Sequence, residues 1–437
     1  MDFAPQSVQP VMNLPGITAT NDGPQNEDCL YLNIWTPKEA LLTGKKLPVY
    51  VVIHGGGFYA FSGAVPVLQG HELAKKGIVV VTINYRLGAL GFLAHPELSA
   101  ENPDGVSGNY GILDQIEALR WVQKNIAFFG GDPSQVTVSG ESAGAFSVSV
   151  LCMSPLAKGL FQRATAQSGG FFDKKTVMYQ LMDLKQAEAA GAELTMNKPL
   201  KELREMSPQT ILEMTAAKAP VYFIPIQDDF VFPVDTEKAF RDHICSDVPL
   251  LVGSNKDDGS KFVPRNSDPH ALQKLGETLV GEERIGAFLN TYPNDTPEET
   301  EASLIQLFSD SAFGHNSYVW ANLQKKHGTS SVYLYYYCHI PPETEYGSYH
   351  SSELAYFHHN LCNVPKNWRP VDYMLEEAFS TYVLNFVKTG DPNGNKLPHW
   401  DPFASDTKQI MCLDEVSGMI VNPTLAAMNL WDSIMSN

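Results

Sequence analysis

Val136-Thr137-Val138-Ser139-Gly140-Glu141-Ser142-Ala143-Gly144-Ala145-Phe146 sets the architecture of this chain. Residues 136–138 read as a buried strand, 140–144 as a sharp turn, and the apolar run onward to Met153 as a helix. A serine at a strand-to-helix junction sits in a strained turn that lifts its hydroxyl above the sheet and aims a helix N-terminus at it. Glycines flank it because a Cβ on either side would clash in such a turn. The Gly-x-Ser-x-Gly pattern alone is weak in a chain with 33 glycines, where a glycine-rich turn with an incidental serine is the plain alternative. Its place between strand and helix gives it weight.

The flanking sequence supplies the rest of the architecture. Residues 49–53 and 78–85 are largely β-branched runs, the pattern of strands buried on both faces. Residues 72–76 with Gly77 read as a short helix and its terminating glycine. Ile112, Leu113, Ile116, Leu119 and Val122 recur at helical spacing, and Gly130-Gly131-Asp132-Pro133 predicts a turn that ends that element. Such alternation requires a parallel sheet with crossover helices. Residues 181–310 are richer in helix formers and charge, with helical candidates at 187–194, 200–206 and 211–217 and one strand at 249–253. Thr296-Pro297 predicts an N-cap and a first-turn proline opening a helix to about Phe308. A strand is predicted at 332–337, and an amphipathic helix at 372–388 closed by Gly390. No internal repeat, low-complexity tract or interdomain linker interrupts the chain. The expectation is one α/β domain over residues 1–437, with a mainly helical subregion at about 181–310 covering the substrate site.

Composition narrows the function. With 43% hydrophobic and 18% charged residues, the 437-residue chain has ample material for a core. Thirty-one Lys and Arg against 49 Asp and Glu give a net charge of −18, which offers no footprint for a phosphate backbone and argues against nucleic acid as a partner. No run approaches the roughly 20 apolar residues of a membrane span. The start, Met1-Asp2-Phe3-Ala4-Pro5-Gln6, has neither basic n-region nor apolar h-region, so no signal peptide is expected in this chain. Cys29, Cys152, Cys245, Cys338, Cys362 and Cys412 lack CxxC or His-interleaved spacing, which predicts reduced core-filling thiols and no metal site.

His54-Gly55-Gly56-Gly57-Phe58 directly follows a buried strand. Acyl transfer passes through a tetrahedral oxyanion, and backbone N–H groups free of side-chain obstruction are the usual way to stabilise it. Gly56, Gly57 and Ala143, the residue after the serine, are the candidate donors. A phosphate-binding loop is the alternative, but no Lys-Ser/Thr follows and no GxGxxG is present. A serine nucleophile needs a base, and the base an orienting acid, in the order Ser, Asp or Glu, His for this kind of turn. Twelve histidines are present, and order retains only those well downstream of Ser142.

Several further motifs resemble the type-B carboxylesterase family, which includes the cholinesterases. They are residues 26–35 (Asn-Glu-Asp-Cys-Leu-Tyr-Leu-Asn-Ile-Trp), 54–58, Asn84-Tyr85-Arg86-Leu87-Gly88, 108–115, 129–133 and 140–144. Others are Gln167-Ser168-Gly169, 253–259, Gly347-Ser348-Tyr349-His350-Ser351-Ser352-Glu353 and 385–394, so the resemblance spans nearly the whole chain. It implies an α/β-hydrolase fold, a mostly parallel sheet flanked by helices, and a serine hydrolase acting on small ester substrates with neither cofactor nor metal. It implies Ser142 as nucleophile, His350 as base and Asp258 as acid, with Gly56, Gly57 and Ala143 as oxyanion donors. Spacing alone does not choose between Asp257 and Asp258; the family pattern favours Asp258, although a Glu is usual there. Glu141 matches an acidic position near the triad, Ser168 a serine that bonds the triad acid, and Arg86 with Asp114 a structural salt bridge. Family members carry a longer stretch before the segment at 26–35, and secreted relatives pair the cysteine matching Cys29 with one upstream. No upstream Cys is present here, so Cys29 is expected to be a free thiol.

The leading expectation is therefore ester hydrolysis through an acyl-enzyme. A non-catalytic adhesion or scaffold role on the same fold is the alternative from another class, and an amide, lactone or thioester hydrolase is the alternative within the same chemistry. Phe58, Tyr59, Phe171, Phe172, Phe313, Tyr356 and Phe357 lie near motifs and are candidates for an apolar substrate wall or for plain core.

Overall fold

The computed structural model describes residues 3–10, 23–215, 222–265 and 267–435. Among these, β1 (Leu32–Trp35), β2 (Leu47–Ile53), β3 (Val79–Ile83), β4 (Gly131–Glu141), β5 (Arg163–Gln167), β6 (Leu250–Asn255), β7 (Val332–Tyr337), β8 (Gln409–Leu413) and β9 (Gly418–Val421) form one sheet. Its order is β1-β3-β2-β4-β5-β6-β7-β8-β9. From β3 to β8 every pairing is parallel, and β1 and β9 close the two edges antiparallel.

The strands are apolar throughout because both faces are covered. Along β2, Val49, Val51 and Ile53 enter one core while Tyr50 and Val52 enter the other. Helices Tyr110–Asn125 and Ala143–Met153 pack on the first face; helix Pro370–Thr389 packs on the second. All eleven residues of helix Ala143–Met153 are buried, which is why its sequence shows no amphipathic period. Strand order reverses at β2, with β3 on one side and β4 on the other. Connections leaving such a point on opposite faces open a crevice beyond the carboxyl ends of the two strands.

Several boundaries differ from the expectation. Only Gly130 has turn backbone, at φ 82°, and Gly131 already pairs with Leu47, so β4 starts inside the predicted turn at 130–133. β3 is shorter than the run at 78–85 because the chain leaves the sheet at Asn84, whose side chain grips Cys29 and Pro5 carbonyls. The edge strands β1 and β9, together with β5 and β8, lack a long apolar run and were not expected. Helices Leu184–Leu194, Leu200–Glu205, Pro208–Thr215, Thr236–Arg241, Pro269–Val280 and Ile285–Thr291 occupy the 181–310 region around β6, while residues 216–217 of one candidate lie outside the described residues. Thr296 caps helix Pro297–Ser309 through Glu299 N–H at 3.1 Å. That helix passes through a π-helical turn at Asp310–Gly314 into helix His315–His327.

Candidate active site

Five neighbouring strands end on the same side, and the chemistry-bearing residues follow those ends. After β4 the chain bends at Ser142, with φ 55° and ψ −127°, and enters helix Ala143–Met153. Ser142 N–H donates to Gln167 O at 2.9 Å, which ties the turn to the end of β5. A Cβ on Gly144 would stand 2.2 Å from Ile53 O, so only glycine lets the helix approach the end of β2. After β2, Gly56 and Gly57 adopt φ of 99° and 63°, and a Cβ on Gly56 would stand 2.2 Å from Ala60 O. Among the described residues no protein acceptor takes the Gly56 or Gly57 N–H, and Ala143 presents the first N–H of its helix. All three residues line the same cavity as Ser142.

His350 arrives on the long connection after β7, and Asp258 on the turn after β6. His350 Nδ1 lies 2.9 Å from Asp258 Oδ1. Asp258 is fully buried, and its other oxygen accepts from Ser168 Oγ at 2.8 Å and Asn255 N–H at 2.7 Å. Asp257 turns elsewhere: its Oδ2 accepts from Ser348 N–H at 2.9 Å and Ser348 Oγ at 3.0 Å. On the opposite edge of the ring, His350 Nε2 stands 3.2 Å from Glu141 Oε1, which also accepts from Ser351 Oγ at 2.6 Å. The Ser142 hydroxyl makes no hydrogen bond among the described residues. Phe313 stacks on the imidazole with centroids 4.5 Å apart.

Charge is concentrated around that ring. Burial alone would lower the His350 pKa, but the Glu141 charge and the Asp258 hydrogen bond raise it to about 9. Burial pushes the Glu141 carboxyl up, and the His350 charge opposes that. Glu353 is fully buried and accepts from Asn255 Nδ2 at 2.5 Å; burial and the neighbouring carboxylates raise it to about 8. Lys261, one turn beyond Asp258, sets its ammonium 3.5 Å from the centre of the Tyr349 ring, and burial lowers it to about 7. Sequence reading assigned no role to Glu353, Asn255 or Lys261. Glu353 closes the quoted motif at 347–353, and that adjacency was the available signal. Arg86 and Asp114 meet away from this centre in a bidentate pair at 2.8 and 2.7 Å.

The cavity holds about 280 Å³. Of the seven aromatic candidates, Phe58, Tyr59 and Phe171 line it. Phe313 backs His350, Phe172 packs on Trp320, and Tyr356 and Phe357 belong to the core on the other face. Phe61, Phe146, Met178, Tyr179, Ile224 and Phe262 also form its wall and were not singled out, because only tertiary packing brings them there. Among the described residues, no group of three or more His, Cys, Asp or Glu side chains is arranged to hold a metal ion, and no helix is long and apolar enough to cross a membrane.

The chain is similar to known proteins over most of its length. The sequence model of the carboxylesterase family matches residues 1–431. The chain is 36% identical over 395 residues to fumonisin B1 esterase of Sphingopyxis macrogoltabida, covering 86% of this chain and 71% of that protein. It is 33% identical over 416 residues to para-nitrobenzyl esterase of Bacillus subtilis (strain 168), covering 89% and 80%. A solved PNB esterase structure superposes with a TM-score of 0.84 at 29% identity, covering 99% of this chain and 88% of that one. With its α/β-hydrolase sheet and a serine turn at the end of β4, beside the strand where the order reverses, the chain belongs to the carboxylesterase family and is a carboxylic ester hydrolase.

Proposed function

We propose that the chain cleaves esters through an acyl-enzyme, with Ser142 as nucleophile, His350 as general base and acid, and Asp258 as the acid that orients the imidazole. The observation that carries this is the 2.9 Å contact of Asp258 with His350 Nδ1, which leaves Nε2 on the Glu141 side of the ring, where His350, Glu141 and Ser142 line one cavity. His350 Nε2 takes the Ser142 proton as the serine oxygen bonds to the substrate carbonyl carbon. The oxyanion so formed is met by the N–H groups of Gly56, Gly57 and Ala143. Collapse expels the alcohol, which receives its proton from His350; water repeats the sequence to release the acid. The Ser142 to His350 hydrogen bond is absent in the free geometry, as is common before substrate tightens such contacts. Glu141 favours the imidazolium that forms in both steps, and Ser168 holds Asp258 in place. We read residues 181–310 as a cover within a single domain, supplying Ile224 and Phe262 to the wall.

The aromatic wall favours apolar acyl groups over charged ones. Turnover of p-nitrophenyl esters from acetate to decanoate, with fluorophosphonate labelling, tests the reading. Label is expected on Ser142, and Ser142→Ala is expected to lower kcat/KM by about 10⁴-fold or more with folding intact. Label on another serine, or full activity in Ser142→Ala, overturns it.

A further inference from the structure

Phe61 holds a backbone conformation that its side chain disfavours. Its φ is 79°, in the left-handed region where a bulky residue is an outlier, and such strain persists only where surrounding structure enforces it. Here the enforcing group is the side-chain amide of Gln9. Phe61 N–H donates to Gln9 Oε1 at 2.6 Å, and Gln9 Nε2 donates back to Phe61 O at 3.0 Å. Gln9 is itself buried, and its own N–H donates to Gln25 Oε1 at 3.0 Å. The clamp fixes the Phe61 backbone, and the ring it carries lies against the oxyanion loop, where a Cβ on Gly56 would meet Phe61 Cδ2 at 2.8 Å.

Phe61, Glu141 and Ser351 bound the reaction cavity on one side and a second space of about 40 Å³ on the other. That second space is mainly apolar, walled by Val52, Val65, Leu68 and Leu354, and has room for about two or three water-sized groups. It lies on the core face opposite the one that supplies Phe58, Phe146 and Phe171 to the main cavity. The leaving alcohol takes its proton from His350 Nε2, which sits against Glu141. Glu141 also borders the second space beside Phe61, so an alcohol that collects its proton at Nε2 is released next to the Phe61 partition.

We infer that Phe61, clamped by Gln9, is the gate that sets specificity for the alcohol half of the ester: its ring keeps bulky apolar alcohols out of the apolar space behind it, which is too small to take them while the ring is in place. This rests on the assignment of Ser142 and His350 given above. The test uses acetates that differ only in the alcohol, ethyl against cyclohexyl, and ethyl esters that differ only in the acid, acetate against hexanoate. Phe61→Gly removes ring and strain together and is expected to raise the cyclohexyl-to-ethyl ratio of kcat/KM at least tenfold, while the hexanoate-to-acetate ratio stays within twofold. Phe61→Leu and Gln9→Ala, the first smaller and the second unclamped, are expected to move the first ratio the same way by less. An unchanged alcohol ratio in Phe61→Gly, or in Phe61→Leu should the glycine variant not fold, overturns the gate. An equal change in both ratios overturns it as well, since that marks a general loosening. Fluorophosphonate labelling of each variant separates the causes: unchanged ratios with Ser142 labelled sink only the gate, whereas label on another serine sinks the nucleophile assignment and the alcohol side with it.

Discussion

Asp258 reaches His350 Nδ1 at 2.9 Å, while the adjacent Asp257 bonds Ser348 two residues before the same histidine. Two neighbouring carboxylates thus hold one loop at two points, and only one of them touches the imidazole.

Asp258→Asn is expected to lower kcat by about 10⁴-fold, because an amide there favours the wrong tautomer of His350. Asp257→Asn keeps an oxygen that accepts from Ser348 and should cost less than about tenfold. Assays of both folded variants on p-nitrophenyl acetate decide it, and equal losses would show that the loop anchor and the triad acid are not separate roles.

The sequence made the strand, turn and helix around Ser142 legible because each step obeys a local rule: β-branched residues, flanking glycines, an apolar helix. The same holds for Thr296 and Gly390, where one residue's chemistry marks a helix end. β5, written Arg163-Ala164-Thr165-Ala166-Gln167, carries no such mark; its place between β4 and β6 is a tertiary fact. The cavity wall divides the same way. Phe58 and Tyr59 were visible beside a glycine motif, whereas the place of Phe146 in the wall was not, because a fully buried helix has no polar side to betray its orientation.

Arg86 and Asp114 join the loop after β3 to helix Tyr110–Asn125, and Asp114 also accepts from Arg86 N–H at 3.1 Å. The guanidinium is 37% exposed, so solvent screens part of the attraction. Asp114→Ala is nonetheless expected to destabilise the fold by about 2 kcal/mol, since it strands a part-buried N–H and one partner of the pair. A urea titration measures this, and a midpoint unchanged from the parent would reduce the pair to surface decoration.

All six cysteines are free, but they differ in access: Cys29 is 1% exposed and Cys362 lies at the surface. Burial also pushes the Cys29 thiol up, which disfavours the reactive thiolate. Iodoacetamide on the native protein is expected to modify Cys362 well before Cys29, and denaturant without reductant should expose all six. A cross-linked Cys29 peptide, or equal native rates for the two, would contradict this arrangement.

The pH dependence of the reaction turns on Glu141. A base of ordinary basicity would lose activity below about pH 6 to 7, the range expected from histidine alone. In this site burial works against the proton, but Glu141 at 3.2 Å from Nε2 and Asp258 at 2.9 Å from Nδ1 outweigh it and raise His350 to about 9. In the proposed mechanism only neutral imidazole accepts the Ser142 proton, so the acid limb of kcat/KM should lie above the ordinary range. Glu141→Gln removes one of the two anions that hold the proton, so the His350 pKa falls and the limb moves to lower pH. Below the parent's limb the variant should then be the more active enzyme relative to its own maximum, even if that maximum drops because the imidazolium in the transition state has lost a neighbour. Rate profiles of both proteins from pH 5 to 10 on p-nitrophenyl acetate, corrected for spontaneous hydrolysis, test the sign directly. A limb that keeps its midpoint in Glu141→Gln would mean that Asp258 alone sets the basicity of His350, and a parent limb at the ordinary midpoint would mean that neither carboxylate does.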